Sequence, residues 1–249
     1  MMSRKIAFIG AVMMAALVGS RAAAEEMAPT APIAARNFTV EGTSDEAAEL
    51  IRAAAEKHRA RLAEQWLGKP LPAWKQPCPI HVSICEGRPG GATTFDFRVF
   101  PHTSVMRLSG TLESILHSVL PHEVAHTVLA DYFHQPLPRW ADEGAAILCE
   151  SGPAPKQYDR LLRDLQSAGR TMRLSQLFGL RDYPQDIPVL YSQGYSVSRF
   201  LVERKDRRTY LQFIKSGLKD GWAAAAAESY GFDSVDALET AWLQSLRRR

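Results

Sequence analysis

Leu120-Pro121-His122-Glu123-Val124-Ala125-His126 is the stretch on which the reading of this chain turns. It lies inside an apolar-periodic segment from about Leu112 to Phe133, where Ile115, Val119, Val124, Val128 and Leu129 make much of a helix circumference apolar. Such a helix is expected to be buried. On it, His122 and His126 fall one turn apart on the same face and can point at one common spot. A buried pair of imidazoles needs partners, and a divalent metal satisfies both rings. Zinc takes histidine nitrogen at about 2.0–2.1 Å. Glu123 stands about 100° round the helix from His122, beside such a metal without having to bind it, where a general base would take a proton from a zinc-activated water. The plain alternative is a helix carrying two unrelated histidines, since a His-Glu-x-x-His pattern is short. His117, five positions before His122, is about 140° away and cannot join the same metal.

A catalytic zinc wants three protein ligands and an open position. The third is expected from the next helix, Pro138 to Leu148, where Glu143 follows His126 by 17 residues and Gly144 leaves room for close helix approach. Asp142 competes, but neighbours on a helix cannot both face one ion. Pro121, well inside its helix, removes a hydrogen bond and predicts an irregularity just before His122.

With 249 residues, 46% hydrophobic and 23% charged, the chain has the composition of a globular protein with one substantial domain or two lobes sharing a core. Arg4 and Lys5, an apolar run from Ile6 to Gly19 and Ala22-Ala23-Ala24 before Glu25 form a signal-peptide pattern over 1–24, so the protein is expected to be secreted or periplasmic. The apolar run is too short for a transmembrane helix, and no stable membrane anchor is expected after cleavage. Removing Arg4, Lys5 and Arg21 from 30 basic residues leaves 27 against 27 acidic ones, which argues against a nucleic-acid partner. Cys78, Cys85 and Cys149 allow at most one internal disulfide. Cys78 and Cys85 bracket a strand whose extended ends stand roughly 20 Å apart, so only Cys149 could bridge to either.

In chain order, 25–36 reads as an extended or disordered lead-in. A short strand near Asn37–Glu41 follows, then a helix from Ser44 or Asp45 to about Trp66, with Leu50, Ala54, Leu62 and Trp66 as its apolar stripe and Gly68 as its stop. Strands are expected at about Ile80–Cys85, Ala92–Val99 and Ser104–Leu108, the second alternating as an edge strand able to pair with an extended peptide. After the motif helix come only helical segments. The fold class expected is therefore α+β, with an α/β lobe over 37–134 carrying the motif helix and a helical lobe over 135–249 carrying the third ligand.

The pairing of His122-Glu-Val-Ala-His126 with Trp140-Ala-Asp-Glu143-Gly-Ala-Ala resembles the gluzincin zinc metallopeptidases, within them the peptidase-MA-like group related to the M1 aminopeptidases. Tyr191-Ser-Gln-Gly194 is similar to the helix that carries a catalytic tyrosine in M1 enzymes. The resemblance covers roughly 78–246. It implies a zincin-like arrangement, a small sheet beside the metal helix with a helical lobe closing the cleft. It also implies one catalytic zinc on His122, His126 and Glu143, Glu123 as general base, and Tyr191 steadying the oxyanion of a cleaved peptide bond. The Gly-x-Met-Glu-Asn segment that holds a free amino terminus in M1 enzymes is absent from Gly90–Arg98, so an endopeptidase acting on a peptide or protein, or an unassigned hydrolase, is favoured. The rival reading is a non-catalytic zinc-binding or recognition protein on the same fold.

Overall fold

The structure, a computed structural model, describes residues 6–7, 37–151, 154–180 and 182–248. The lead-in 25–36 and most of the signal-peptide pattern over 1–24 lie outside them. No helix among the described residues is long and apolar enough to cross a membrane.

The fold is mixed. Strands β1 (Ile6–Ala7), β2 (Phe38–Glu41), β3 (Cys78–Ile84), β4 (Gly90–Asp96) and β5 (Thr103–Gly110) form one sheet in the order β1-β4-β5-β3-β2. The pairs β2–β3 and β3–β5 are parallel, whereas β4 runs antiparallel to both β5 and β1. The register sets Ile80 opposite Met106 and Val82 opposite Leu108, so these four side chains lie together on the buried face.

Helix α1 (Asp45–Leu67) makes the crossover from β2 to β3. The Ser44 hydroxyl accepts from the Ala47 amide at its start, and Gly68 ends it in the left-handed region at φ 67°. Its buried stripe is Ile51, Ala55, Leu62 and Trp66. Leu50, expected on that stripe, is instead 50% exposed, and Ile51 takes the inward position. In a run of adjacent apolar residues the sequence pattern leaves the helix phase open by one position, about 100°.

After Gly110 the described chain holds helices and their connecting loops and no further strand. The short turn α2 (Leu112–Ser114), capped by Thr111, leads through a π-turn at Ile115–Val119 into α3 (Leu120–Phe133), the motif helix. The irregularity expected around Pro121 is this π-turn. Pro121 has no amide hydrogen to donate to the His117 carbonyl four residues back. That carbonyl accepts instead from the Ser151 amide at 3.4 Å. The proline thereby ties the motif helix to the segment beyond the next one, α4 (Arg139–Ile147).

Helices α5 (Ala154–Ser167), α6 (Leu174–Gly179), α7 (Ile187–Arg204), α8 (Arg207–Asp220), α9 (Trp222–Tyr230) and α10 (Val235–Leu246) complete the chain. Trp140 is fully buried among them, stacked on Phe178 with ring centroids 4.5 Å apart. Cys78, Cys85 and Cys149 are all free; Trp66 Nε1 donates to Cys149 Sγ at 3.3 Å.

Helices α4 and α7 cross at two glycines. A Cβ on Gly144 would stand 2.5 Å from the Gly194 carbonyl oxygen, and one on Gly194 2.8 Å from the Trp140 carbonyl oxygen. Main chain meets main chain here, so a neighbouring rotamer cannot relieve the clash. Gly194→Ala gains helix propensity of about 1 kcal/mol, but overpacking typically costs about 1–3 kcal/mol. With backbone on both sides the upper end applies, so urea denaturation should show a net loss. A variant as stable as the parent would mean that the crossing relaxes freely.

Candidate metal centre

His122 and His126 project from α3 and Glu143 from α4 toward one point. Taking one ligand atom from each, all three atoms lie within 4.8 Å of one another. Glu143 Oε2 is 3.4 Å from His122 Nε2 and 3.9 Å from His126 Nε2. The three residues are no more than 2% exposed. Among their atoms, His122 Nε2 and Glu143 Oε2 are buried without a hydrogen-bond partner. Orphaned groups of this kind typically cost about 1–3 kcal/mol each. A cation between them satisfies both, so this group could hold a metal ion.

The far sides of the histidine rings are held by carboxylates. His122 Nδ1 meets Glu150 Oε1 at 2.7 Å, and His126 Nδ1 meets Asp142 Oδ1 at 2.8 Å. A carboxylate accepting from Nδ1–H leaves the Nε2 lone pair of a neutral ring directed at the centre. Glu150 also accepts from Ser118 Oγ at 3.2 Å, inside the π-turn. Burial alone would lower both histidines, but the surrounding carboxylates outweigh it and raise them, His122 well above its ordinary range. Burial likewise pushes Glu143 up; the facing imidazoles and a phenol prevail and hold it down at about 2.

Glu123 sits apart from the three. Its Oε2 accepts from Thr93 Oγ1 at 2.6 Å, while Oε1 is buried without a partner. Burial raises this carboxyl above its ordinary value, with His126 and His122 opposing. Strand β4 passes close by: a Cβ on Gly91 would lie 2.5 Å from Glu123 Oε1 and 2.7 Å from Val119 Cγ1. Only glycine lets the strand approach this carboxylate.

Tyr191, on α7, is 3% exposed and hydrogen-bonded to Tyr183; burial, then the charge of Glu143, pushes its phenol up. Tyr195, one turn on, faces Arg199, whose Nη1 donates to its hydroxyl at 3.0 Å while also pairing with Asp159. Thus His122, His126, Glu123 and Glu143 share one buried site, with Tyr191 joined to it through Tyr183.

Four contributors went unrecognised in the sequence: Thr93, Glu150, Tyr183, and Asp142 as the partner of a histidine rather than a rival ligand. Each reaches the site across 16 to 40 residues of chain. The adjacency of Asp142 to Glu143 was the one local signal. About 100° apart on α4, the first meets the outer nitrogen of the His126 ring and the second lies on the side of its inner one. His81 and His102 pair elsewhere, with Glu41 and Asp131. Comparison with protein-family models, with curated proteins and with solved structures returned no match for this chain.

Proposed function

We propose that this chain is an exported zinc metallopeptidase of the gluzincin kind, acting on internal peptide bonds. The observation that carries the reading is the meeting of two imidazole nitrogens and one carboxylate oxygen beside a second carboxylate with an unbonded oxygen. A donor set of two nitrogens and one oxygen, with the rings oriented from behind, suits zinc. Glu123 is superfluous to a closed structural site and necessary to a hydrolytic one. Export rests on the N-terminal pattern alone.

When bound, zinc supplies Lewis acidity to a water and to the peptide carbonyl. The protein does the rest. Thr93 fixes Glu123 through Oε2, so Oε1 is the oxygen that takes the water's proton and later delivers it to the departing amine nitrogen. A carbon–oxygen bond forms, the carbon–nitrogen bond breaks, and the proton ends on the nitrogen. β4 brings its main chain to Glu123 at Gly91 and the Thr93 hydroxyl to the same carboxylate. Among the described residues its outer edge carries only Ile6–Ala7, which the export pattern removes. An extended peptide added to that edge would lie alongside the general base.

Tyr191 is the oxyanion donor in this reading: the Glu143 charge acts on its phenol, whereas Tyr195 lies beside Arg199 and Asp159. Tyr191→Phe should lower kcat by about 10²–10³-fold with little change in KM. A near-normal Tyr191→Phe beside a crippled Tyr195→Phe would reassign the role. The function itself is tested on a broad peptide pool. Cleavage at internal bonds, abolished by a chelator and restored by zinc, is expected; no cleavage across the pool would favour the non-catalytic recognition protein.

A further inference from the structure

The two oxygens of Glu143 have different fates. Oε2 is the buried, unbonded atom turned to His122 and His126, whereas Oε1 accepts a hydrogen bond from the Tyr183 hydroxyl at 2.6 Å. A carboxylate can grip a metal through one oxygen or through both, and the second grip consumes a coordination position. With Oε1 committed to a phenol, one oxygen remains.

Tyr183 is itself held from two directions. Arg139 lies one turn before Glu143 on α4, and its guanidinium carbon stands 4.7 Å over the Tyr183 ring. From α7, Tyr191 reaches the Tyr183 hydroxyl by a hydrogen bond. The residue comes from the connection between α6 and α7, which is otherwise outside the metal centre.

We propose that Tyr183 is a positioning residue that keeps Glu143 a one-oxygen ligand and so leaves a coordination position clear for the substrate. This rests on the metallopeptidase reading for the identity of what enters that position, but its test does not need catalysis. Tyr183→Phe keeps the ring, its burial and the Arg139 contact while deleting the one hydrogen bond to Oε1. Cobalt(II) replaces zinc as a visible probe, its absorption being strong in four-coordinate sites and weaker at higher coordination.

Cobalt-loaded Tyr183→Phe should lose visible intensity relative to the parent, and the zinc-loaded form should lose about 10–100-fold in kcat, the range for altered outer contacts to a metal ligand. Tyr191→Phe leaves the Glu143 bond in place and should keep the parent cobalt spectrum. Superimposable spectra for Tyr183→Phe and the parent would overturn the assignment while leaving the metallopeptidase reading intact. Equal loss of intensity in both variants would also overturn it, as general loosening of the tyrosine cluster. A parent protein that takes up no cobalt would overturn both readings.

Discussion

Glu123→Gln is expected to keep its metal and lose about 10²–10⁴-fold or more in peptide hydrolysis, the range for an absent general base. Glutamine matches the size of the side chain and can still accept from Thr93 through its amide oxygen, so the local packing around β4 survives. What disappears is the ability of the position now held by Oε1 to take a proton. Metal content and kcat measured on the same preparation separate the two effects. A variant with parental kcat would remove Glu123 from the mechanism, and one that loses its metal would make the residue structural.

The second large effect is expected from His126→Ala. Metal content should fall from about one equivalent to nearly none, because three ligands become two. Stability should fall as well. Asp142, 2% exposed, would keep its carboxylate but lose the ring opposite it, and removing one partner of a buried pair typically costs about 3–5 kcal/mol. Chelation should lower the Tm of the parent, since a ligand that binds only the folded state stabilises it. It should leave the Tm of His126→Ala unmoved. A variant that retains full metal occupancy would sink the ligand assignment.

Both predictions start from residues whose spacing could be read directly. A helix carries its own ruler, so two histidines four apart, an acid between them and a proline just ahead specify a shared face and a local fault before any folding is considered. The order of the chain, mixed first and then all-helical, was legible for the same reason: periodicity is a local property. Leu50 shows the limit within one element, where neighbouring apolar residues left the phase of α1 open. Glu150 and Tyr183 show the limit between elements. They approach the centre from 28 and 40 residues away along the chain, and nothing in their surroundings marks them. Tertiary packing chooses such partners. A sequence read one window at a time carries no record of that choice.

The glycine contact between α4 and α7 has a mechanical consequence. Where the two helices meet at Gly144 and Gly194, main chain lies against main chain with only the Ser198 hydroxyl beside it, so neither helix can slide or roll there without opening the contact. Glu143 and Tyr191 therefore ride on a single stiff chassis. With the residues of the candidate centre at 0–2% exposure, a peptide of the proposed kind would have to reach them from another side. The spacing between the Glu143 carboxylate and the Tyr191 phenol is set at the α4–α7 crossing.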